Sequence, residues 1–217
     1  LVAIEEGIHG DKKEVIEPDQ YFKAMLGRLQ SSKTVNRSLI YLFQMVLPHV
    51  SEKQKQKKGS DCLEVLLKIP TENKEGLQRA IYLSLITCIT EVLLSQKTKE
   101  STWSDGIVKK AFMYLVSMCT DRTAKVRKQA CDDLKRLLTH HSEAKFTLTS
   151  KFVVDYFDNL VMQFDKDDHR EILYLLTFLM SSILSIAPSF YAAIITTLFT
   201  VCSHDVNYVR QYSLKIM

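Results

Sequence analysis

Five arginines, Arg37, Arg79, Arg127, Arg170 and Arg210, recur at intervals of 42, 48, 43 and 40 residues, and each falls near the start of an apolar run with helical spacing. The residue four positions on is Tyr41, Leu83, Cys131, Tyr174 or Leu214, which the register places one inward-facing turn further along each helix. Asp121, Asp165 and Asp205 stand five or six residues ahead of their arginines, in the turn before the helix. A carboxylate there can accept hydrogen bonds from a neighbouring repeat's guanidinium and from the free N–H groups of a helix start. If the arginines bridge adjacent repeats, Arg79, Arg127 and Arg170 should be substantially buried and hydrogen-bonded to carboxylates or helix-end carbonyls.

The rest of the chain agrees with a repeat of helix pairs. Long apolar-rich runs alternate with short polar breaks, and few stretches show the period of two that strands need. The pattern predicts helices over 19–30, 34–48, 52–69, 74–95, 103–119, 123–140, 147–164, 168–187, 189–203 and 206–217. Pro48 and Pro70 should close two of them, because proline cannot donate the next backbone bond. The one long arginine interval holds the polar stretch 96–105, which reads as a longer loop. With only 6 Gly and 4 Pro in 217 residues, turns are too scarce for an all-β sandwich. A period of about 40–47 residues with two helices per unit is the mark of HEAT and armadillo arrays. The expected fold is all-α, a HEAT/armadillo-like α-solenoid superhelix of about five two-helix repeats over 19–217, preceded by an acidic extension over 1–18. The apolar pattern at Ile216-Met217 reads as a fragment of a longer array.

Chemistry-bearing motifs are sparse. Five cysteines, at 62, 88, 119, 131 and 202, form no CxxC pair, so a buried apolar role is expected for each in a reducing compartment. No Gly-rich phosphate loop, GxSxG elbow or HExxH pair occurs, so neither an enzyme nor a cofactor is expected. His140 and His141 are adjacent, whereas ligands on one helix face need i,i+3 or i,i+4 spacing. His169 follows Asp165, Asp167 and Asp168, an acid-rich helix start that capping and the helix dipole explain without a metal. From Ile172 to His204 no residue is charged, but nine Ser and Thr and the Ala187-Pro188-Ser189 break divide the run into halves too short for a bilayer. Two packed helices are expected there, with Thr177, Ser181 and Ser185 on one face and their hydroxyls turned back onto carbonyls one turn earlier.

Charge gives the remaining candidates. The net +4 hides a −4 start over 1–20, +6 over 21–121, +5 over 122–151 and −3 over 152–217. Lys53, Lys55, Lys57 and Lys58 in SEKQKQKKG are the densest cations, and Lys125 and Lys128 flank a ladder arginine. Without the aromatic pattern of an RNA-recognition motif, these would hold backbone phosphate with little sequence preference. Trp103, ahead of a helix, is expected to act as a hydrophobic staple or as a partner contact.

Several segments together resemble the family of ribosomal RNA processing protein 12: YFKAMLGRLQ at 21–30, LIYLFQMVLPHV at 39–50, Trp103 ahead of a long helix, KVRKQA at 125–130 and LYLLTFLMSSIL at 173–184. The resemblance implies a non-enzymatic HEAT scaffold of the nucleolus and nucleus that shuttles to the cytoplasm. Its implied partners are pre-ribosomal RNA and ribosome-assembly proteins, with the small GTPase Ran as a further candidate, and neither a membrane nor a small-molecule substrate. A karyopherin-like carrier or a protein-only HEAT adaptor is the alternative.

Overall fold

The computed structural model describes residues 17–31, 37–72, 78–96, 100–104, 106–140, 143–163, 169–203 and 206–217. These form eleven α-helices: α1 (Pro18–Ser31), α2 (Arg37–Val46), α3 (Glu52–Glu72), α4 (Arg79–Ser95), α5 (Glu100–Ser104), α6 (Gly106–Met118), α7 (Ala124–His140), α8 (Glu143–Met162), α9 (Arg170–Ser182), α10 (Tyr191–Ser203) and α11 (Asn207–Ile216). No strand occurs among the described residues.

The helices stack in two layers. α1, α3, α6, α8 and α10 make one layer and α2, α4, α7, α9 and α11 the other; each helix packs on its hairpin partner and on its neighbours in the same layer, except that α7 meets the next repeat mainly through the segment Ile183–Ser185 that follows α9. Five helical hairpins result, the two-layer solution that lets amphipathic helices of this length bury one stripe apiece. The core is continuous through the stack, from Phe22 and Phe43, stacked at 5.4 Å, through Leu85, Phe112, Leu134 and Phe157 to Leu198 and Val209. Helix character follows position. Central α4 is buried on nearly every side, including Ser84, Thr90 and Ser95, whereas α7 hides only the stripe Val126, Ala130, Asp133, Leu134, Leu137 and Leu138.

Polar clips fix the register between repeats. Asp19 on α1 accepts hydrogen bonds from the Ser51 N–H at 2.8 Å and its hydroxyl at 2.6 Å, and Ser51 Oγ in turn accepts the Gln54 N–H at the start of α3. That relay satisfies donors which a helix start leaves unpaired. Later, the Ala187 N–H donates to buried Ser150 Oγ at 2.9 Å, and the Thr197 hydroxyl donates to Asp158. Gly59 lets α3 approach the end of α4: a Cβ there would come within 2.3 Å of the Gln96 amide.

Three expectations about boundaries change, and one about burial. α3 runs two residues beyond Pro70, where the Thr71 hydroxyl takes the Lys68 carbonyl at 2.8 Å. The stretch expected as a loop at 96–105 holds the short helix α5. α9 stops at Ser182 and turns through a 3-10 segment over Ile183–Ser185, so Ser185 leaves the face of Thr177 and Ser181. The hydroxyls of Thr177 and Ser181 do return to carbonyls, of Leu173 and Phe178, both at 2.8 Å. The position four residues after each ladder arginine is not uniformly inward: Tyr41 is 56% and Leu214 is 59% exposed, and Leu83, Cys131 and Tyr174 are half-buried.

Candidate nucleic-acid interface

All five ladder arginines fall in the first turn of a second-layer helix, so the repeat marks one structural position. Those helices run parallel and in register. The Arg37 guanidinium donates to the Gln78 side chain at 3.3 Å, joining the starts of α2 and α4. Arg127 lies over the Tyr174 ring at 3.6 Å, joining α7 to α9, and the His169 and Tyr208 rings meet edge to face at 4.7 Å beside the starts of α9 and α11. Near the opposite ends, Arg136 pairs with Glu91 across α7 and α4 at 3.0 Å, and Lys135 donates to the Ser181 carbonyl at the end of α9 at 3.0 Å.

The arginines themselves divide. Arg79 and Arg170 are exposed, contrary to the expectation of burial, and Arg127 is half-buried. Arg127 is held by backbone rather than carboxylate: Nη1 donates to the carbonyls of Asp121 at 2.8 Å and Arg122 at 3.0 Å. The Asp121 carboxylate instead accepts the Thr123 N–H at 2.7 Å, capping its own helix. Arg210 Nε donates to the Cys202 carbonyl at the end of α10, at 3.1 Å. The two other ladder carboxylates, Asp165 and Asp205, lie outside the described residues. Together the first turns of the second-layer helices hold six basic side chains and one acidic, Glu171. A cation there opposes the helix dipole by about 0.3–1 kcal/mol. By contrast, α1 and α3 of the first layer open on Asp19 and Glu52.

The lysine-rich turn is weaker than its sequence. Lys55 is 5% exposed, because it occupies the core stripe of α3 one turn before Gly59 and Cys62-Leu63. Its stem is buried while Nζ returns to Glu52 at 2.5 Å. Lys58 pairs with Asp61 at 2.8 Å, which leaves Lys53 and Lys57 as the exposed members one turn apart. Lys125 and Lys128 are exposed at the start of α7. Trp103 is no partner contact: it is fully buried in α5, edge-on to Phe112 at 5.9 Å, pinning α5 to α6.

An open groove of about 650 Å³ lies between α2 and α4, lined by Arg37, Tyr41, Leu42, Ala80 and Leu83 among others. Nothing in the sequence marks this groove, because the repeat register places Tyr41 inward, whereas its ring is 56% exposed.

Elsewhere the thiols are shielded or muted. Burial pushes Cys62, Cys88 and Cys119 upward, while the half-buried Cys131 thiol is lowered chiefly by its hydrogen bond with Cys119. Among the described residues, no group of three His, Cys, Asp or Glu side chains is placed to hold a metal. No described helix is long and apolar enough to cross a membrane.

No curated protein matches the chain. The family model for RRP12-like, N-terminal HEAT repeats matches residues 3–217, nearly the whole sequence and both layers of the stack. With that match laid over five two-helix repeats, the chain belongs to the RRP12-like family of N-terminal HEAT repeats.

Proposed function

We propose that this chain is a non-enzymatic scaffold of ribosome biogenesis in the nucleolus and nucleus, holding pre-ribosomal RNA and assembly proteins in place through its extended surfaces. The observation that carries the reading is the family match across residues 3–217, on a stack whose layers present repeated, exposed positions. The basic middle of the chain supports the RNA part. Exposed Lys125 and Lys128 at the start of α7 are available to backbone phosphate, which suits a contact that senses charge more than sequence.

Crosslinking in cells followed by identification of the attached RNA and proteins tests the reading. Pre-ribosomal RNA recovered together with assembly factors is the expected result. Recovery of protein alone, with binding controlled by a GTPase such as Ran, would replace it with a karyopherin-like carrier.

A further inference from the structure

We infer that the N-terminal edge of the second layer, across its first three helices, is a track for single-stranded RNA, with the groove between α2 and α4 receiving a base. The inference rests on the scaffold reading above and names the surface that the RNA follows. It moves that surface from the lysine-rich helix to the arginine edge.

The edge carries Arg37, Arg79, Arg122, Lys125 and Lys128, of which all are exposed. They stand on, or for Arg122 just ahead of, successive parallel helices whose starts lie side by side, as the Arg37–Gln78 contact shows at α2 and α4. The one acid described beside them, Asp121, is occupied by the Thr123 N–H. Cations distributed one repeat after another suit a flexible polyanion, whereas a single phosphorylated side chain would call for one concentrated pocket. Toward the chain's C-terminal side the sequence before α9 brings Asp165, Asp167 and Asp168, and 152–217 sums to −3, so the track belongs to the first three repeats.

The groove supplies what charge alone lacks. Tyr41 lines it with more than half its surface open, and Leu42, Ala80 and Leu83 give it an apolar floor. Arg37 stands one helical turn from the ring. An aromatic face beside a cation is the pairing that stacks a base while holding its phosphate. The lysine helix offers no such ring, and there Lys55 and Lys58 already have carboxylate partners.

The test titrates the 217-residue chain with a fluorescent single-stranded RNA at several salt concentrations, beside an acidic peptide of similar charge. Three variants are compared: Arg79→Gln/Lys125→Gln/Lys128→Gln on the edge, Tyr41→Ala in the groove, and Lys53→Gln/Lys57→Gln on α3. Each removed phosphate contact lowers the slope of log affinity against log salt by about 0.7, so the edge variant should flatten it by about 2. Tyr41→Ala should weaken binding roughly tenfold at an unchanged slope, as loss of one stacked base requires. The α3 variant should behave as wild type. All substituted residues are exposed, and unaltered melting curves confirm that the variants fold. If wild type binds RNA and the edge variant keeps its slope, the track is wrong while the scaffold reading stands. If wild type binds the acidic peptide and no RNA, the RNA part of both falls.

Discussion

Arg136→Met removes one guanidinium that serves two repeats. Its Nη1 donates to Asp133 at 3.1 Å and its Nη2 to Glu91 of α4 at 3.0 Å. Asp133 is only 2% exposed, and its other described donor is the Gln129 amide at 2.9 Å. Without Arg136 the buried carboxylate keeps one neutral donor and loses its cation. Breaking a fully buried pair costs roughly 3–5 kcal/mol. Half of the Arg136 side chain lies in water, however, which screens the pair, and methionine preserves the packing of the stem. A loss of about 2–3 kcal/mol remains, which at this chain length lowers the melting temperature by roughly 4–12 °C. The control is Lys151→Met, whose partner Asp155 is also about half exposed and whose loss should cost under about 0.5 kcal/mol. Adding Asp133→Leu to Arg136→Met should recover part of the stability, since no stranded charge is left. Urea and thermal unfolding read all three. If Arg136→Met falls no further than Lys151→Met, or if Asp133→Leu makes it worse, the buried carboxylate is not what the guanidinium supports.

Trp103→Ala should cost about 3–5 kcal/mol in urea unfolding, since it empties the fully buried site against Phe112; a loss under about 1 kcal/mol would oppose the pinning role. Arg127→Ala should cost about 1–3 kcal/mol through two carbonyls and the Tyr174 ring, while exposed Arg79→Ala should stay within about 0.5 kcal/mol. Equal denaturant midpoints for the two would erase that division of the ladder. Ser51 holds the Asp19 carboxyl below its ordinary value, so this contact stabilises fully above about pH 4 and fades as pH falls through the lower folded value. The stability gap between wild type and Asp19→Asn should therefore narrow on acidification, and a constant gap would contradict the cap. A thiol reagent on the native chain should modify Cys131 ahead of Cys62, Cys88 and Cys119, whose burial raises them; uniform labelling rates would show that the stack opens globally first.

The fold was legible because helix periodicity and a recurring residue at a fixed helix position survive without tertiary information. The arginine spacing located the first turn of every second-layer helix, although nothing in the spacing distinguished Arg127, which bonds carbonyls, from Arg79, which faces water. That distinction depends on whether an acceptor lies within reach, and reach is set by loop shape. The burial of Lys55 has a cause that the sequence contains. It stands four, seven and eight residues before Gly59, Cys62 and Leu63, the spacing of a core stripe, while its charge alone points to the surface. Trp103 could be read either as staple or as contact, because one ring ahead of a helix fits both until Phe112 is seen beside it. The clips at Ser51, Ser150 and Asp158 join residues 32 to 39 positions apart, and no local pattern encodes such pairs.

The parallel second layer separates two tasks by helix end. Toward its C-terminal half, Arg136 holds Glu91 and Lys135 holds the Ser181 carbonyl, so α4, α7 and α9 are clamped where the helix dipole favours cations. At the opposite end the dipole disfavours them, and yet every second-layer helix begins with an arginine in its first turn. Where Arg37, Arg127 and Arg210 find a side-chain amide or carbonyl oxygens, that adverse placement is offset by hydrogen bonds. Exposed Arg79, Lys125 and Lys128 gain no such bond among the described contacts, and their repulsion is left to the solvent or to a ligand. Because a solenoid's stability adds up interface by interface, the distal clamps and the continuous core can hold the stack in register while this edge stays chemically open. An anion laid along it would relieve the adverse dipole placement at successive helices at once, so the same charges that slightly weaken the empty stack would strengthen the occupied one.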